Sequence, residues 1–198
     1  MPETNSKPGF GSLVVRPLLA GMVAAGAVAP VAAPAADDVF LRITNPNILG
    51  ESQDTKHKDE IVLLSYSQSF TNPVTAGGAG GGGSAGRVNC GAVKVTKILD
   101  KASPFLIAGV ATGRHYQKAV ITFRRAGGNP VEYYTVTLTD VLLDSITQTD
   151  ASPTDATTIL EQVSLTAAKF KFQYTPVDAK GAPGTPVTFS WDCVANKG

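Results

Sequence analysis

The sequence has few of the groups from which active sites and metal centres are built: two histidines, two cysteines and one tryptophan in 198 residues. His57 stands between Lys56 and Lys58, and His115 between Arg114 and Tyr116. Neither has a second histidine, a cysteine or a carboxylate at ligand spacing, so no metal site is expected. No serine occupies a Gly-x-Ser-x-Gly elbow, and paired acids such as Asp59-Glu60 read as loop charges. An excess of one charge is also missing. The net charge of +1 leaves no basic field to recruit nucleic acid or anionic lipid. The apolar run from Leu18 to Ala33 is too short to span a bilayer comfortably. These absences argue against an enzyme, a cofactor, a nucleic-acid partner and stable membrane insertion.

The two cysteines, Cys90 and Cys193, lie far apart and lack metal spacing. They read either as two partly buried thiols or as one disulfide, which an oxidising compartment alone allows. The first thirty-six residues stand apart from the rest. Lys7 and Arg16 precede the Ala- and Gly-rich apolar run, Ala33-Pro34-Ala35 supplies small residues, and the charged Asp37-Asp38 follows. That is the order of a secretory signal peptide. Glu3, the long basic region and Pro30 fit it poorly, so a flexible leader is the competing reading. Residues 1–36 are therefore set aside as a leader and 37–198 as the folded domain.

What the domain does contain is β-sheet chemistry. Val, Thr, Tyr and Phe are spread throughout, with Gly and Pro punctuating them, as in a sandwich or barrel. Between Gly113 and Ile146, Ala119, Ile121 and Phe123 alternate with Val120, Thr122 and Arg124. Ala126-Gly-Gly-Asn-Pro130 then supplies a turn, and a second alternating run covers Val131 to Leu143. The pattern predicts a long hairpin. Val39–Ile43 reads as an opening strand, Asn45–Lys58 as a surface loop and Thr147–Thr158 as another. In Ile61–Phe70, Val62, Leu64, Tyr66 and Phe70 are expected to face the core. Ser65, Ser67 and Ser69 then form a hydroxyl stripe on the other face, suited to solvent or to a channel wall.

Ala76–Gly86 is glycine-rich and contains Gly78-x-Gly80-x-x-Gly83, but the next residues, Arg87–Val95, read as a strand. Neither a helix nor Gly-Lys-Ser/Thr follows, so phosphate binding is not expected and a loop between strands is. Ser103 as N-cap, Pro104 at the first helical position and Gly113 as terminator predict one helix, with Phe105, Leu106 and Val110 as its apolar contacts. Glu161–Tyr174 is a strand whose apolar phase changes near Ala167-Ala168, which predicts a bulge or bend. Pro186–Val194 closes the chain with Val187, Phe189, Trp191 and Cys193 on one face.

Several blocks in this order resemble the haemolysin-coregulated protein (Hcp) family of type VI secretion systems. They are Gly50-Glu51-Ser52-x-Asp54-x-x-His57-x-x-Glu60-Ile61, Gly86-Arg87-Val88, and Lys97-x-x-Asp100-x-x-Ser103-Pro104-x-Leu106. Gly113-x-His115-Tyr116, Arg125-Ala126-Gly127-Gly128, Val131-Glu132-Tyr133, Glu161-x-Val163-x-Leu165 and Pro186-Val187-x-Phe189-x-Trp191 follow. The resemblance implies a mainly β fold: a compact β-barrel of two sheets with one flanking α-helix, closing into a hexameric ring. It implies a structural tube subunit whose stacked rings carry or chaperone effectors and are themselves secreted, with sheath, spike and effector proteins as partners. Ser65, Ser67 and Ser69 become candidate lumen contacts, and Gly50, Glu51, Ser52, Gly80 and Gly82 candidate ring-stacking positions. A functional leader would instead send the chain to the periplasm, make a Cys90–Cys193 disulfide more plausible, and suggest an exported ring or filament-forming module outside any contractile machine.

Overall fold

Ile61 and Leu63 carry the first decision of the fold: both side chains are buried, whereas Val62 and Leu64 are about half exposed. This reverses the expected phase, because the chain bends at Leu64 and the run breaks into β2 (Ile61–Leu63) and β3 (Ser65–Ser67). β2 pairs with β1 (Asp38–Thr44), and β3 with β8 (Val93–Ile98). The structure, a computed structural model, describes residues 37–75, 84–126, 130–150, 158–178 and 180–198. The described strands and helix all lie within the unit 34–198.

The predicted hairpin is present as β9 (His115–Arg125) and β10 (Val131–Asp150). β10 runs well past Leu143, so residues 147–150, expected in a loop, are strand; the rest of that expected loop up to 157 lies outside the described residues. The reason is a partner: β11 (Ile159–Tyr174) pairs with β10 from Tyr134↔Tyr174 to Asp150↔Ile159, and this supplies the backbone bonds that polar Thr147, Gln148 and Thr149 alone would not demand. β12 (Val187–Asp192) pairs with the far half of β11.

All pairings in the main sheet are antiparallel, in the order β2-β1-β9-β10-β11-β8-β3, with β12 beside β11. Because β2 and β3 are pieces of one segment, the two sheet edges meet, and Leu64 N–H donates to Thr96 O at 2.7 Å. The sheet thus nearly closes into a barrel, which removes exposed edges. Inside it Leu41, Ile121, Leu138, Val163 and Leu165 are buried.

Three neighbouring strands change phase at one level. The inward residues run Tyr116 then Ala119 on β9, Leu138 then Val141 on β10, and Ala167 then Phe170 on β11. Asp140, with φ 55°, sits at that level on β10, and Ala168 O accepts from Cys193 N–H at 2.9 Å. The bend expected near Ala167-Ala168 is thus shared across the sheet; a bulge proper lies between Leu143 and Ser145 on β10.

One helix, α1 (Ser103–Thr112), is present among the described residues. Gly113, at φ 60°, ends it as expected. Ser103 does not cap it: Ala102 holds the N-cap position, and the Ser103 hydroxyl turns inward to the Lys97–Glu161 pair. Leu106 is buried, but Phe105 is 62% exposed and is not a core contact.

Candidate assembly and cargo surfaces

The hydroxyl stripe is a sheet feature, not a strand feature. Ser65 pairs with Thr96, Thr96 with Gln162, and Gln162 with Thr147. One step along, Ser67 pairs with Lys94, Lys94 with Ser164, and Ser164 with Ser145. Directly paired residues share a sheet face, so β3, β8, β11 and β10 together present two parallel rows of mostly small, uncharged polar side chains. Ser65, Ser67, Gln162, Ser145 and Thr147 are exposed. Tyr66, between the serines, points the other way: it meets Phe123 edge-on at 5.2 Å, and burial holds its hydroxyl well above the usual tyrosine range. Ser69 is separate. A Cβ on Gly91 would lie 2.4 Å from its Oγ, so Ser69 packs at the base of the next element.

That element is an arm. The expected single strands Ile61–Phe70 and Arg87–Val95 are interrupted, and beyond β3 and β8 the two chain segments continue side by side as β4 (Phe70–Thr71) against β7 (Asn89–Cys90) and β5 (Val74–Thr75) against β6 (Ser84–Ala85). Gly91 N–H donates to Ser69 O at 2.8 Å, and Gly86 N–H to Pro73 O at 3.0 Å. Gly80 and Gly82 lie outside the described residues. Cys90 is bonded to Cys193 across 103 positions, with Cα atoms 6.2 Å apart. Phe70 meets Phe170 and Phe172 edge-on, and Phe172 and Phe189 stack. Val187, Phe189 and Tyr174 at this end of the sheet are 65%, 55% and 47% exposed, an apolar surface of the kind that marks protein contacts.

The loop after β1 is built inward. Gly50 N–H donates to Asp59 O at 2.8 Å and Ser52 N–H to Glu60 O at 3.1 Å. A Cβ on Gly50 would come within 2.4 Å of Glu60 O, so that approach requires glycine. Gly50 and Ser52 are buried, which leaves Glu51 as the exposed side chain of the three candidate stacking positions. His57 stacks on Phe40 at 4.2 Å, with Nδ1 3.1 Å from Glu60 and Nε2 3.5 Å from Glu132. Ligand spacing in the sequence did not reveal these neighbours: the turn brings Glu60 round to His57, and β10 supplies Glu132. Asp54 accepts from Arg124 at 2.6 Å. That contact, with the backbone N–H groups of Lys56 and His57, holds its carboxyl well below the ordinary range although partial burial opposes this.

Lys97, Asp100, Ser103 and Glu161 form a third cluster. Lys97 Nζ lies 2.6 Å from Glu161, 2.8 Å from Asp100 and 3.0 Å from Ser103 Oγ, with Lys97 and Glu161 fully buried. Gln148 donates to the other Glu161 oxygen at 2.8 Å. Burial pushes the Glu161 carboxyl up, but these hydrogen bonds outweigh it and leave it below its usual value. The cluster fastens α1 to β8 and β11.

A nearly closed barrel with one helix, an arm and a polar wall is the frame in which sequence similarity is informative. Residues 40–174 match the family described as type VI secretion system effector, Hcp. The chain belongs to the Hcp family. Protein hcp1 of Pseudomonas aeruginosa is 37% identical over 161 residues, covering 80% of this chain and 96% of that protein. The crystal structure of Hcp1 from Salmonella typhimurium is 30% identical with a TM-score of 0.65, covering 82% of this chain and 98% of its own. A type six secretion system protein at 23% identity shares the fold with a TM-score of 0.76, covering 82% of this chain and 99% of that one. Hcp proteins are structural, secreted components of type VI secretion. The blocks that carry the resemblance turn out largely to be scaffold: the Lys97, Asp100, Ser103 and Glu161 motifs meet in one buried cluster, and Asp54, His57 and Glu60 in another. The polar wall was legible only in part, because Thr96, Gln162, Ser164, Ser145 and Thr147 join Ser65 and Ser67 through strand pairing. Among the described residues no helix is long and apolar enough to cross a membrane.

Proposed function

We propose that this chain is the tube subunit of a type VI secretion system, six copies closing into a ring whose bore is lined by the rows Ser65-Thr96-Gln162-Thr147 and Ser67-Lys94-Ser164-Ser145. The observation that carries the reading is this wall: four adjacent strands present mostly small polar groups, Lys94 is the one charge in the two rows, and the buried Ser164 donates to the neighbouring Asp144 carboxylate at 3.3 Å. Such a surface stays hydrated and offers hydrogen bonds to cargo without a strong field to trap it. Glu51 on its loop, together with the arm, supplies the contacts between stacked rings, and the exposed Tyr174, Val187 and Phe189 contribute to contacts between copies. Effectors occupy the bore; sheath and spike proteins complete the machine. Electron microscopy of purified protein should show six-fold rings, and a strictly monomeric particle at high concentration would overturn the reading. Ser67→Glu should leave rings intact and lower effector retention; loss of rings instead would place Ser67 in packing.

The disulfide favours a second reading, an exported ring or filament-forming module outside a contractile machine, because such bonds persist in oxidising compartments. Mass spectrometry of the chain from its native host separates the two. A mature N-terminus near Ala36 supports export through a signal peptide, and an intact leader on the secreted protein excludes it.

A further inference from the structure

We propose that Cys90–Cys193 is a redox-set clasp: it fixes the arm against the C-terminal segment in oxidising surroundings and lets go of it in reducing ones. The described arm, residues 69–75 and 84–91, has little else to hold it. Its paired stretches are two residues long and pair with one another, not with the barrel sheet. Phe70 makes ring contacts with Phe170 and Phe172 of the barrel. A ribbon this short is marginal by itself in water.

Three further bonds reach the same place as the disulfide. Arg87 donates to Cys193 O at 2.9 Å and to Val194 O at 2.7 Å, and Val88 N–H donates to the Asn196 side chain at 3.0 Å. The C-terminal segment is the fixed post. Asp192 and Lys197 close it on itself, and Cys193 N–H ties it to Ala168 O on β11. The arm is the movable part. The Arg87 bonds are exposed and compete with water, so they orient the arm without fixing it, whereas the covalent link has no such competitor. Neither cysteine is fully buried.

The chemistry balances simply. The two thiols lose two protons and two electrons as the S–S bond forms, and a disulfide oxidant of the glutathione class is cleaved into its two thiols. A dithiol reverses the step. Where the chain is assembled in the cytoplasm and delivered outside the cell, which rests on the tube reading, the clasp is open during stacking and closes after release.

Hydrogen exchange on the full-length protein tests the first half and needs no secretion apparatus, so it fails or succeeds independently of the tube reading. After treatment with a phosphine reductant, and in Cys90→Ser and Cys193→Ser, amides of 69–75 and 84–91 should exchange roughly tenfold faster, at labelling times too short for the amides of β9 and β10 to exchange at all. The melting temperature should also fall, by on the order of 10 °C. Unchanged exchange in the arm would overturn the clasp. Differential alkylation of cell-retained and secreted protein from the native host tests the second half. Free thiols inside and a bond outside support the switch; a bond already complete inside the cell overturns it.

Discussion

Lys97 carries an ammonium group where water does not reach, and the fold makes this tolerable by giving each of its protons an acceptor in Glu161, Asp100 and Ser103. Removing one side of such a pair leaves the other buried and uncompensated. Lys97→Met should therefore cost about 3–5 kcal/mol in urea unfolding, and Lys97→Met with Glu161→Leu should recover much of it; equal losses in both would show that packing, not the orphaned carboxylate, sets the cost. The Asp54–Arg124 contact predicts a pH dependence. The Asp54 carboxyl is held below its ordinary value in the folded state, so its contribution is present above the usual carboxylate range and is lost as pH falls below about 4. Asp54→Asn should flatten the loss of urea midpoint between about pH 5 and pH 2 relative to the parent protein; an unchanged slope would place the acid sensitivity elsewhere. Neither cluster was legible in the sequence, because Lys97 and Glu161 are 64 positions apart and Arg124 on β9 meets Asp54 only when the loop between β1 and β2 folds back on it.

Individual elements differ in how far local pattern fixes them. The β9–β10 hairpin, α1 and its Gly113 terminator depend on local periodicity and turn chemistry, and all are where the pattern puts them. The Ile61–Phe70 segment buries Ile61 and Leu63 against the expected phase and partly buries Tyr66 with it, because it bends at Leu64 to serve two partners. β10 exceeds its apolar stretch because β11 pairs with it throughout. The loop that starts at Gly50 offers an element-scale test. Gly50→Ala forces a methyl group against the Glu60 carbonyl, backbone that cannot swing aside. The variant should melt lower and expose His57 to solvent, seen as a change in its imidazole resonances; an unperturbed spectrum would mean the loop can shift as a body.

For the whole molecule, the exposed apolar end of the sheet bears on assembly. Phe189 is 55% exposed beside Val187 and Tyr174, and among the described strands β12 pairs with β11 alone; Lys197 bridges only its last residue, Asp192, on the outer edge. An apolar, half-paired edge invites another chain. Phe189→Asp should keep the far-ultraviolet circular dichroism of the barrel while shifting the light-scattering mass from ring to monomer. Retention of full ring mass would remove this surface from the interface.

Residue type, local spacing and an ordered set of motifs were enough to establish the family, the β character, the hairpin, the helix and the low charge. Which side of each strand is buried, where strands divide and which polar groups meet came only with the folded chain. Those depend on pairing between segments tens of residues apart, and no local period encodes such partners. The scarcity of histidine and cysteine, which first argued against an active site, takes on a different meaning in the fold. His57 rests on Phe40 between two carboxylates, and the two cysteines join the arm to the chain's end.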